Sequence, residues 1–369
     1  MKLLLSNERV RVNDRNRDGK TLFYIVCELG RYEVAKILAN NRRVDTSIPD
    51  NYGTTPFSIA CEKGKIKIVR ELARNKRIDI NKPNKNDKTP LYVVSQKGHI
   101  EVVKLLLKEK SIDTNKARIN GETPFYVACQ KGHIEIVKLL LNDKRVDVNK
   151  ANNDGKTPFY IACENGHIEI VRLLLNDERI DINKAMDGVT PFYIVCFFGY
   201  IEIVKLLLND QRVDINKPNK SGKTSLYIAC ENERIDVVKH LLESGKADIN
   251  YTGTNKNRKT PLEIAKKKGH SQIVELLETF QRCASEPKEE KEKEKEKEKE
   301  KEERRGKREK IMNIEEKKKT KSTEQGQSNF ETKNNRTMKE KSKMEEQKNQ
   351  ESKSIFIYFL FLFFLKIFF

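Results

Sequence analysis

Apolar positions along this chain come in two alternating arrangements, and the stretch from Asn120 to Asn149, NGETPFYVACQKGHIEIVKLLLNDKRVDVN, shows both most cleanly. In the first, Phe125, Ala128 and Cys129 fall at i, i+3 and i+4, the spacing of one helical face. Thr123 and Pro124 stand just before it. A threonine hydroxyl caps free amide groups, and proline fits a first turn where no N–H is required. Gly132 then supplies the left-handed residue that ends a short helix, so a helix of about two turns is predicted. In the second arrangement, from Ile134, Val137, Leu140 and Leu141 share one face, with Ile136 and Leu139 beside it. Such a helix is apolar over most of its circumference and has to be sandwiched. Asn142 to Lys150 is polar and turn-rich, which predicts an extended loop. One unit of helix, turn, helix and loop cannot bury its own apolar surface and needs neighbours.

The capping threonine finds those neighbours. Thr21, Thr55, Thr89, Thr123, Thr157, Thr190, Thr224 and Thr260 recur at intervals of roughly 34 residues, the one ending at Thr190 being a residue shorter. A fixed period of this size predicts a stacked solenoid in which each unit buries its faces on the units before and after. The clearest copies are TPFYVACQKGHIEIVKLLL at Thr123, TPFYIACENGHIEIVRLLL at Thr157 and TPFYIVCFFGYIEIVKLLL at Thr190, followed by DVN or DIN endings such as Asp147-Val148-Asn149. In these residues the chain resembles the ankyrin repeat family. Tetratricopeptide repeats share the period, but their Trp and Gly-Tyr signature is missing and the chain has no tryptophan. The resemblance implies an all-α solenoid of about eight helix-turn-helix repeats, with loop or β-hairpin connections, over residues 1–285. It also implies that partners lie in a concave groove formed by loop tips and first helices, a preformed surface that binds without a folding cost.

Individual repeats depart from the pattern. The histidine usual after Thr-Pro-Leu is tyrosine at Tyr24, Tyr92, Tyr126, Tyr160, Tyr193 and Tyr227, a change read as structural because a phenol still donates a hydrogen bond. Asp87 replaces a loop glycine and Glu233 a turn glycine, which costs a little if Glu233 keeps a positive φ. Glu263, Lys266, Lys267 and Lys268 make the first helix of the eighth repeat polar, as a C-terminal cap should be. At the other end Lys2 to Val10 aligns with Lys138 to Val146, inside a second helix, and the natural start is expected to lie earlier.

Composition changes the picture after Cys283. Residues 286–354 are dominated by Lys, Glu, Arg, Gln and Asn, with strict Glu/Lys alternation from Glu290 to Glu302, and are expected to be a disordered low-complexity linker, transiently helical or coiled-coil-like at most. Basic and acidic residues nearly balance there, so most of the net charge of +19 belongs to the repeats and favours partners with acidic surfaces. Each lysine of the alternating run has a glutamate beside it, which argues against nucleic acid. Residues 355–369 are apolar apart from Lys366, shorter than the roughly 20 residues that span a bilayer. They form either a short tail anchor or the product of a reading frame that runs past its natural end.

No cofactor, metal or catalytic site is expected. Cys27, Cys61, Cys129, Cys163, Cys196 and Cys230 occupy one position of the first helix, where stacked repeats would hold them about 10 Å apart, too far for disulfides. Free thiols suit a reducing, cytoplasmic compartment. No cysteine or histidine spacing resembles a zinc site. His99, His133, His167 and His270 follow the turn position of their repeats, and one position repeated four times is architecture that helps fix the helix-turn-helix geometry.

The expected function is therefore that of a non-enzymatic, monomeric protein-binding scaffold or adaptor. A membrane tether that recruits cytosolic partners is the alternative. The two residues before each turn glycine face the groove in the family. Here they are charged or amide pairs such as Gln130-Lys131 and Glu164-Asn165 in most repeats, and aromatic only at Phe197-Phe198. The same repeat has the shortened loop with Met186 and Val189, and Tyr200 in place of histidine. Apolar residues among charged ones mark an interface anchor, so Phe197, Phe198, Met186, Val189 and Tyr200 are the candidate hot spot. Asn153, Asp154, Lys156, Glu164, Asn165, Gln130 and Lys131 complete the candidate protein-binding site on the preceding repeats. The competing reading is that the phenylalanines fold back to fill space left by the missing loop residue.

Overall fold

A computed structural model describes Leu5, residues 7–252 and residues 259–285. The linker, the apolar tail and the first four residues lie outside the described residues. The chain divides into two units, Met1–Ala284 and Ser285–Phe369, and the repeats make up the first.

Sixteen helices in eight hairpins make up the described residues. The first helices are α1 (Leu22–Leu29), α3 (Pro56–Glu62), α5 (Pro90–Lys97), α7 (Pro124–Lys131), α9 (Pro158–Glu164), α11 (Pro191–Phe198), α13 (Ser225–Glu231) and α15 (Pro261–Lys268). Their partners are α2 (Tyr32–Ala39), α4 (Ile66–Ala73), α6 (Ile100–Leu107), α8 (Ile134–Leu141), α10 (Ile168–Leu175), α12 (Ile201–Leu208), α14 (Ile235–Glu243) and α16 (Ser271–Ser285). First helices pack on first helices of adjoining repeats and second helices on second helices, giving two layers with one main core and a small separate cluster of Tyr92, Val93 and Val127. Helix starts follow the sequence rule. Every first helix is capped by its threonine, whose hydroxyl in the fourth repeat accepts from the Tyr126 amide at 3.0 Å. Helices this short are marginal in isolation, so the sandwiched faces supply most of their stability. Phe125, Ala128, Cys129, Val137 and Leu140 are all fully buried.

The connections are loops, with isolated antiparallel bridges at Arg15–Thr21 and Met186–Val189 the most strand-like features among the described residues. They are joined by side chains that cross from one repeat to the next. Asn115 Nδ2 donates to the Arg145 carbonyl at 2.7 Å while its Oδ1 accepts from the Asp147 amide at 2.8 Å, and Asn81, Asn149, Asn183 and Asn216 bridge their loops in the same way. Arg77, Arg145, Arg179 and Arg212 reach back to carbonyls at the end of the preceding repeat's second helix or in its loop. Asp143, Asp177 and Asp210 hold the last three guanidinium groups, and that contact pulls each carboxyl below its usual range.

The histidines do more than shape their own hairpins. His99, His133, His167 and His270 place Nε2 at 2.7, 3.2, 3.1 and 3.4 Å from the carbonyl oxygens of Glu62, Gln96, Gln130 and Glu231 in the preceding repeat. A carbonyl only accepts, so each ring nitrogen donates. The ring lies under the turn glycine. A Cβ on Gly132, at φ 76°, would come within 2.9 Å of His167. In the seventh repeat Glu233 does keep a positive φ of 55°, and Arg234 takes the histidine's place, with Nε 2.9 Å from the Phe197 carbonyl.

Candidate binding surface on the first-helix layer

The residue before the capping threonine and the last or second-last residue of the first helix meet on the outer side of the first-helix layer. In the first, fifth and seventh repeats they form an ion pair: Lys20–Glu28 at 3.0 Å, Lys156–Glu164 at 2.8 Å and Lys223–Glu231 at 2.6 Å. In the third repeat Lys88 donates instead to the neutral Gln96 amide oxygen at 3.2 Å. In each case the lysine also lies over the repeat's tyrosine ring, between 5.3 and 5.8 Å from its centre. The contact with Glu28 holds the Lys20 ammonium above its usual pKa, whereas burial and the nearby Arg118 push Lys88 down.

Val189 and Phe197 occupy these two places in the sixth repeat. An apolar position thus stands where both neighbouring repeats carry a salt bridge. Phe197 is half-buried against the core while Phe198 is 37% exposed, so the first fills space and the second projects. Their rings meet edge to face at 5.0 Å, and Phe198 stacks on Tyr200 with centroids 5.5 Å apart. Tyr200 in turn lies under Gly166, where other repeats have histidine. Met186 and Val189 close the shortened loop through two backbone hydrogen bonds of 3.0 and 2.8 Å.

Met186 has a second consequence. Tyr24, Tyr126 and Tyr193 pair their hydroxyls with Asp50, Asn152 and Asn219 on the next loop. Met186 stands at the corresponding place for Tyr160 and offers only a weakly accepting thioether. Burial raises the phenol pKa throughout the row, to about 12 at Tyr92, where a hydrogen bond to Glu122 adds to it.

Five of the sequence-derived candidates therefore gather on one repeat. The others divide. Asp154 and Lys131 are exposed and Gln130 half-exposed. Lys156 and Glu164 neutralise each other. Asn153 and Asn165 spend their amides on the fold, donating to the Ile119 and Ile161 carbonyls at 2.9 Å each. The sequence reading missed Lys223, which pairs with Glu231 to complete the charged frame around the apolar position. Aligning the residue before each threonine would have found it.

The family profile "Ankyrin repeats (3 copies)" matches this chain five times, at residues 1–84, 43–118, 77–152, 144–219 and 192–285. The chain belongs to the ankyrin repeat family. Among solved structures it is similar to the ankyrin repeat domain of Bcl-3, described as a unique member of the IkappaB protein family, at 25% identity and a TM-score of 0.55. That similarity covers 61% of this chain and 99% of the other. As many as 504 solved chains match, so ankyrin architecture by itself selects no partner. Among curated proteins no match is found. An ankyrin repeat array implies protein partners, and no helix among the described residues is long and apolar enough to cross a membrane.

Proposed function

We propose that this ankyrin protein is a non-enzymatic, monomeric adaptor in the cytoplasm whose first-helix surface captures a protein partner around the sixth repeat. The observation that carries the reading is the replacement of a Lys–Glu pair by Val189 and Phe197 between two repeats that keep theirs. Exposed Phe198, stacked on Tyr200, gives a partner side chain a rigid aromatic wall. Half-buried Met186 adds an adaptable edge on the same repeat. Aromatic anchors set among polar residues carry most of the energy of such interfaces.

The combination Val189→Lys, Phe197→Glu and Phe198→Asn rebuilds the surface of the preceding repeat and tests the reading. Affinity capture with the full chain, quantified by mass spectrometry, should lose its main partner while the melting temperature stays within a few degrees. A variant that melts far lower would assign the phenylalanines to the core, and one that keeps its partner would move the interface elsewhere.

The apolar residues 355–369 favour a second reading, a tether at a membrane facing the cytosol. Fractionation with and without them separates the two. Full-length protein found only in the soluble fraction rules the tether out.

A further inference from the structure

The second-helix layer carries its own regularity over four successive repeats, and the repeat just before them breaks it. Glu101–Lys104, Glu135–Lys138, Glu169–Arg172 and Glu202–Lys205 form ion pairs three residues apart on the outer side of α6, α8, α10 and α12. On α4 the corresponding pair is Lys67 and Arg70, so that helix presents two cations where its neighbours are neutral. Beside it a furrow of about 780 Å³ runs across α4, α6 and α8. Half-buried Ile66, Leu105 and Leu139 give it an apolar floor, and Arg70, Arg74, Lys108 and Lys144 line its sides. Of the three carboxylates there, Glu101 is taken by Lys104 and Asp143 by Arg145, which leaves Glu109. Among the described residues none of the four cations forms a salt bridge.

We propose that this furrow is a second docking surface, for an acidic peptide segment of a protein partner that sets aliphatic side chains on the Ile66–Leu105–Leu139 floor and carboxylates on Arg70, Arg74 and Lys108. It lies on the layer opposite Phe198, so the two surfaces can be occupied together. The charge complementarity selects the occupant. A cationic segment would meet four cations opposed by the single free carboxylate of Glu109, and a purely polar polyanion would leave the apolar floor wet. Three adjoining helices about 10 Å apart set a span of about 20 Å, within reach of about six extended residues.

The test uses the full chain and a fluorescein-labelled peptide of about ten residues built from glutamate and leucine, long enough to cross the furrow. Anisotropy should report saturable binding that weakens with salt, about tenfold or more weaker in Arg70→Glu/Arg74→Glu. Lys67→Glu rebuilds the pair found on the neighbouring helices without touching the core, and should weaken binding by a smaller factor. Replacing leucine by serine in the peptide should abolish it. Circular dichroism melts unchanged by these exposed substitutions exclude unfolding as the cause. Equal binding by the parent and by Arg70→Glu/Arg74→Glu, or by the serine peptide, overturns the proposal. So does oligothymidine that binds as well as the peptide and is equally sensitive to the variants, since the surface would then be one for phosphate.

Discussion

Single residues in this chain owe their roles to how much of them water can reach. The six first-helix cysteines are buried, and desolvation pushes their thiols up, to about 12 at Cys230. Cys283 is exposed. A thiol reagent needs thiolate and access, so native protein at neutral pH should release one rapid equivalent, and denatured protein all 7. Several rapid equivalents from native protein would mean that the first helices open far more often than their packing suggests. The threonine caps were legible in the sequence because donor and acceptor lie three residues apart. The histidine bonds were not. Their partners are carbonyls 37 or 39 residues earlier, and a carbonyl belongs to every residue, so no side-chain pattern announces it. For the same reason Arg234 as a substitute for histidine became visible only in three dimensions.

At the scale of an element, the loops show how repeats are coupled. The asparagine rungs share one loop position, and Ser47 stands there between the second and third loops. Its amide and hydroxyl turn inward to Asp45 Oδ1 at 2.8 and 2.6 Å, leaving the Arg77 carbonyl and Asp79 amide without the rung that other loops have. Ser47→Asn should supply it. Two hydrogen bonds at a partly exposed site are worth about 1 kcal/mol together, read as a higher urea midpoint at unchanged slope. A lower midpoint would show that the bonds to Asp45 matter more. The same loops explain why the hot spot was only partly legible. Phe197 and Phe198 stand out as an aromatic pair, yet only the fold separates the half-buried ring from the projecting one. The amides of Asn153 and Asn165 looked free in the sequence and are committed to backbone carbonyls.

For the whole molecule, coupling between nearest neighbours means that damage in the middle should divide the array. Leu140 is fully buried between repeats, so Leu140→Ala should cost about 2–5 kcal/mol locally and open a protease-sensitive point near the fourth repeat. Resistance equal to the parent would place Leu140 outside the inter-repeat core. The number of repeats, their layers and the buried faces were all readable from period and spacing, because a solenoid repeats the same local solution. What the period could not reveal is where it is broken for function, since a substitution acquires meaning only beside the residues that the stack brings next to it. The central claim is that the sixth repeat's first-helix surface meets the partner. Photo-crosslinking with p-benzoylphenylalanine in place of Phe198, or of exposed Glu202 on the other layer of the same repeat, tests it most directly. A partner adduct is expected from position 198 and none from 202; an adduct from 202 alone would place the partner on the other layer.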